Sequence, residues 1–162
     1  MLILDYKLRA NRAQQNAIDE AIRTVQFIRN KCLRKWMDGR GVGDNDLQVY
    51  CSALAKAYPF AARLNSQARQ TSADRAWLSI ARFYKNCREH EPGKKGYPRF
   101  RHDTRSVEYK ATGWRLEPDG TRLTFTDGTG IGTLRMIGAN PERKKRAAVP
   151  PSPWRRSSGS AW

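Results

Sequence analysis

From Ile18 onward, apolar residues recur every three or four positions: Ile18, Ala21, Ile22, Val25, Ile28, Cys32, Leu33 and Trp36. That spacing paints one face of a helix, with Asn11 as its cap and an end near Met37. Arg23, Arg29, Lys31, Arg34 and Lys35 fall largely off this face, most of them late, where they suit the helix dipole. Ahead of it, Leu4, Tyr6 and Leu8 alternate with Asp5, Lys7 and Arg9, so residues 2–9 read as a half-buried strand with a charged outer face. Gly39, Gly41 and Gly43 end the long helix. Asp44 caps a second one to about Tyr58, with Leu47, Tyr50, Cys51, Leu54 and Ala57 inward, and Pro59 stops it. A third starts at Asn65 or Ser66 and runs to about His90, with Ala73, Ala76, Trp77, Ile80, Ala81, Tyr84 and Cys87 as its inner stripe. Trp77 and Tyr84 keep register with aliphatic neighbours, which makes them core rather than ligand platforms.

After Pro92 the period changes from helical to alternating. Residues 106–111, 114–116 and 123–125 alternate, 131–137 suits a further strand, and Pro118-Asp119-Gly120 and Asp127-Gly128 are turn signals between them. The pattern predicts an α+β chain: a first strand at 1–10, a helical lobe at 11–91, and an antiparallel meander at 92–137. Residues 138–162 carry Pro, Ser, Gly and cations without periodic apolar positions, so they read as a disordered basic tail. Within it, Arg143-Lys144-Lys145-Arg146 reads as solvated charge or as a nonspecific nucleic-acid contact.

Composition narrows the function. The 162 residues hold 31 Lys and Arg against 15 Asp and Glu, a net charge of +16 that cannot be paired internally. A polyanionic partner follows, DNA or RNA. A membrane is the weaker reading: no apolar run approaches the roughly 18 residues of a spanning helix, and the first residues lack a secretory pattern. A cytoplasmic, nucleoid-associated prokaryotic protein is the expectation. Cys32, Cys51 and Cys87 read as reduced core cysteines, and with two His and no Cys-x-x-Cys a zinc site is not expected. No metal, cofactor or small-molecule substrate is expected, and the sequence leaves the oligomeric state open.

The chemistry concentrates at Lys94-Lys95-Gly96-Tyr97-Pro98-Arg99-Phe100-Arg101. Cations neutralise phosphates, and aromatic faces stack on unpaired bases. Tyr97 and Phe100 are the stacking candidates, although Phe100 equally suits a plug in a sheet core. Asp74, Glu89, Glu91 and Asp103 are the nearest acids, and their spacing is that of ordinary surface charges.

A strand, a long helix with Phe27-x-x-Asn30-x-x-Leu33, a helix start at Leu64-Asn65-Ser66-Gln67, and then Gly96-Tyr97-Pro98-Arg99-Phe100 together resemble one family. Residues 1–137 are similar to the N-terminal half of TnpB proteins, transposon-encoded relatives of type V CRISPR effectors. These are also called OrfB-type transposases, with this region described as a helix-turn-helix domain. The resemblance implies a recognition lobe of about three helices inserted after the first strand of a small wedge-like β-barrel, holding guide RNA and duplex DNA. It implies that Asn30, Tyr97, Arg99 and Phe100 face nucleic acid; Lys94, Lys95, Arg101, Arg105, Lys7 and Arg9 join them on charge. Full-length relatives continue into a RuvC-like nuclease domain with metal-binding carboxylates and a four-cysteine zinc ribbon. After residue 137 there is neither a Gly-x-Asp-x-Gly-like element nor a Cys-x-x-Cys pair. The expectation is therefore a truncated, non-enzymatic binder of transposon-end DNA or guide RNA, its tail an out-of-frame extension or a truncation scar. The alternatives are a DNA-binding repressor or competitor of the intact transposon protein, a half-enzyme completed in trans, and a decayed, non-functional gene product.

Overall fold

The computed structural model describes residues 5–90 and 92–137. The expected tail, the first residues of the predicted strand and Glu91 lie outside the described residues. Strand β1 (Lys7–Arg9) is followed by helices α1 (Arg12–Asp38), α2 (Asp44–Ala57), α3 (Pro59–Arg63) and α4 (Ser66–Arg88), then strands β2 (Trp114–Leu116), β3 (Arg122–Phe125) and β4 (Thr133–Ile137). The sheet is antiparallel and open, in the order β1-β4-β3-β2, so the helices lie in the chain between one edge strand and the other. The α+β class stands.

Helix α1 begins as its sequence predicts. Asn11 Oδ1 accepts from the Gln14 N–H at 2.9 Å, and Gln14 Oε1 accepts from the Asn11 N–H at 3.0 Å, a reciprocal capping box. The same Gln14 amide donates to the carbonyls of Ile131 (3.1 Å) and Thr133 (2.9 Å), tying the cap to the entry of β4. Asn65, not Ser66, caps α4, accepting from the Gln67 and Ala68 N–H groups. Two boundaries differ from expectation. Gly43 rather than Asp44 is the residue before α2, its N–H bonded to Asp46 Oδ2 at 2.8 Å. Pro59 ends α2 but also opens α3, because a fixed φ and a missing N–H cost nothing at a first helical position. The lobe thus has four helices rather than three.

One core joins helices and sheet. Ile28, Cys32 and Leu33 of α1, Leu47 and Cys51 of α2, Ala61, and Ala76 and Ile80 of α4 are buried with Ile131 and Leu134 from the β4 region. Arg69 fastens the corner between α3 and α4, its guanidinium donating to the carbonyls of Ala61, Ala62 and Leu64.

Some predicted core positions stay exposed. Leu8 is 41% exposed because β1 is an edge strand with β4 on one side only. Ala57, in the last turn of α2, is exposed. Tyr84 lies against Trp36, in the last turn of α1, yet stays largely exposed, and Cys87 one turn further on is exposed too. Cys32 and Cys51 are buried, and burial pushes their thiols up to about 12 and about 11. Thiolate is the reactive form. Titration of the native protein with an aromatic disulfide at pH 8 should therefore release one equivalent promptly and three in denaturant. Prompt release of three would place the buried pair at the surface.

Residues 106–111 are not a strand. They belong to an irregular strap, residues 92–113, laid along the seam between α1 and α4. Their alternation is real: Val107 and Tyr109 pack against the core while Ser106, Glu108 and Lys110 are exposed. Side chains of α4 take the place of a neighbouring strand. Arg75 donates to the Ser106 carbonyl (3.2 Å), and Gln67 Oε1 accepts from the N–H groups of Ala111 (3.0 Å) and Thr112 (3.1 Å).

Candidate nucleic-acid interface

The strap fixes the predicted segment residue by residue. Gly96 takes φ +75°, a conformation that favours glycine, and turns the chain in beside Asn86, whose Nδ2 donates to the Lys95 carbonyl at 3.1 Å. Tyr97 then lays its ring against Trp36 (centroids 5.6 Å apart) and Phe83 (5.2 Å). It remains 54% exposed, while Pro98 is buried. Next, Arg29 Nη1 donates to the Arg99 carbonyl at 3.2 Å. Asn30 closes a two-way clasp on Arg101, donating from Nδ2 to its carbonyl (2.7 Å) and accepting its N–H at Oδ1 (3.0 Å). Gln26 Oε1 accepts from the Thr104 N–H at 3.1 Å.

These hydrogen bonds all grip the backbone and leave the side chains of Lys94, Arg99 and Arg101 to the outside. Lys94, Arg99, Arg101 and Arg105 are exposed, and among the described residues none of them forms an ion pair. Phe100 is 38% exposed with the Arg34 guanidinium 5.8 Å from its ring centre, so it sits at the surface and does not plug a sheet core. Beside it lies a shallow groove of about 400 Å³ lined by Arg23, Gln26, Phe27, Asn30, Lys31, Arg34 and Phe100. Three of those seven are cations and none is an acid.

Asn30 reaches the site but with its amide engaged on both sides, so it positions Arg101 rather than presenting a free group outward. Lys7 and Arg9 are exposed on the sheet's edge strand, not on the strap. Arg29, set off the apolar face in the sequence reading, is in fact only 8% exposed. Burial first, and nearby Arg101 second, lower its pKa, and its hydrogen bonds go to neutral oxygens of Arg99 and Asn30. A legible signal for this role was the spacing of Gln26, Arg29 and Asn30 at i, i+3 and i+4, a polar stripe flanking the apolar one.

Asp127 joins the sheet to the helices. Its Oδ2 accepts from the Asn65 N–H (3.1 Å) and the Tyr109 hydroxyl (2.8 Å), while the next residue, Gly128, donates its N–H to the Arg63 carbonyl at 2.9 Å. A β-carbon on Gly128 would come within 3.2 Å of the Arg63 backbone.

Among the described residues no group of three or more His, Cys, Asp or Glu is placed to hold a metal ion, and no helix is long and apolar enough to cross a membrane. The fold and the strap define an α+β chain with an exposed basic-aromatic seam. Comparison with known proteins returns neither a matching family model nor a matching curated protein.

Proposed function

We propose that this chain binds nucleic acid, DNA or RNA, along the strap and does not cleave it, acting as the nucleic-acid-holding part of a TnpB-type transposon protein. One observation carries the reading: a chain with net charge +16 locks the backbone of residues 95–104 onto two helices while leaving Lys94, Arg99 and Arg101 exposed and unpaired with any described carboxylate. Unpaired cations held on a rigid support repel one another unless an anion lies across them. The aromatic faces of Tyr97 and Phe100 make that anion a nucleic acid rather than a bare polyphosphate, because they supply stacking surfaces beside the charges. In this reading the open sheet belongs to the wedge-like barrel of the family, with the helices as its inserted recognition lobe.

The test is a titration. Protein stripped of nucleic acid by nuclease and high salt is mixed with labelled duplex DNA and with single-stranded RNA at several salt concentrations. Log affinity should fall linearly with log salt, and if four or more phosphates are contacted the slope should be about −3.6 or steeper on the duplex and about −2.8 or steeper on the single strand. A flat line would refute phosphate contacts. Sequencing of RNA that co-purifies from the host tests the family role: a discrete transposon-end RNA supports it, and random nucleic acid removes it.

A further inference from the structure

The sheet sorts its side chains by face. Successive residues on a strand point to opposite sides, and directly opposed residues of an antiparallel pair point to the same side. Leu8, Met136, Leu134 and Leu123 accordingly share one face. The other face carries an unusual row. Arg9 stands opposite Arg135 across β1 and β4, and Arg135 stands opposite Arg122 across β4 and β3. Three guanidinium side chains therefore rise from one line across three strands, with β-carbons about 5 Å apart. All three are exposed, as is Lys7 on the same face, and among the described residues none of the four forms an ion pair. Glu117 on this side is already engaged, by Arg115 Nε at 3.2 Å and Thr124 Oγ1 at 2.7 Å.

Like charges placed directly opposite each other destabilise a sheet. The neighbouring rung shows the ordinary solution, Thr124 Oγ1 and Thr133 Oγ1 hydrogen-bonded at 2.9 Å. A row selected for stability would hold such a pair, or opposite charges. We infer that the Arg9–Arg135–Arg122 row is a second phosphate-binding surface, taking the sugar–phosphate backbone of a nucleic acid across the sheet. Arginine's planar fork suits it, since it meets two phosphate oxygens at once. The inference rests on the nucleic-acid reading above but uses a surface separate from the strap.

The decisive variant is Arg135→Glu, which converts two repulsive pairs into two attractive ones. It should raise the melting temperature by about 3 °C. At about 0.1 M salt it should also lower affinity for the labelled duplex or the single-stranded RNA about tenfold. Stability and binding moving in opposite directions cannot come from damaged folding. Arg135→Gln should fall between parent and Glu on both measures. The probe that loses more affinity identifies which backbone the face holds. A stabilised Arg135→Glu protein that binds both probes like the parent overturns the inference and leaves the strap reading intact. A variant that loses stability and binding together also overturns it, because the row would then be structural. A parent that binds neither probe removes the reading beneath both.

Discussion

Replacing Lys94, Lys95, Arg99 and Arg101 together with Ala should flatten the salt dependence of nucleic-acid binding by about 3.6 in slope on duplex DNA, if each meets one phosphate. At about 0.1 M salt that is an affinity loss of up to ~10³-fold. The fold should survive, because side chains of α1 and α4 hold the backbone of this segment. Arg29 and Asn30 hold the carbonyls of Arg99 and Arg101, and Asn86 holds that of Lys95, groups that Ala retains. A thermal melt close to the parent's, alongside the flattened slope, is the expected pair of results. An unchanged slope would move the binding surface away from the strap.

The largest stability loss outside the apolar core is expected at Asp127. Asp127→Ala removes the acceptor for the Asn65 N–H and the Tyr109 hydroxyl, and the bond from Thr129 Oγ1. Hydrogen bonds to a carboxylate are worth more than neutral ones, and half-buried donors left unpaired cost more still, so about 3 kcal/mol is expected. For a folded part of this size that lowers the melting temperature by roughly 10 °C. Tyr109→Phe should cost about 1 kcal/mol, and the double variant less than the sum, since both remove the same bond. A loss below about 0.5 kcal/mol for Asp127→Ala would show that the Asp127 bonds do little to hold the sheet to the helices. Burial, and after it the bond to Asp127, raise the Tyr109 pKa. A raised folded value favours the protonated phenol, so this joint is intact at neutral pH. Its contribution declines only once the pH passes the ordinary phenol range, near 10.

Helical positions were legible in the sequence because each depends on short-range spacing. The apolar stripe of α1, the Asn11 cap and the Asn65 cap need only residues two to four apart. What was not legible depends on partners far along the chain. The alternation of residues 106–111 marked Val107 and Tyr109 as inward, yet alternation names a buried side and not the neighbour on the other. Here the neighbour is α4, through Gln67 and Arg75, and not a strand. Asp127-Gly128 looked like a turn and nothing more, since local sequence holds no sign that its carboxylate would reach Asn65. Within the site, the cations and aromatics of residues 94–101 were visible by composition. The buried Arg29 was marked only by its spacing with Gln26 and Asn30, because by composition a charged residue beside an apolar stripe ordinarily lies in solvent.

The pairing of β1 with β4 also governs the order in which the chain assembles. Lys7 and Arg9 find their partners only at Ile137 and Arg135, at the far end of the described chain. During synthesis the helices emerge and pack from nearby residues, whereas the first strand waits until residues 133–137 have been made. Local contacts form early and distant ones late. Until β4 arrives, the exposed edge of β1 and the Gln14 amide have no sheet to receive them. Strand β4 is thus the latch, and the arginine row across the sheet comes into being only when it closes.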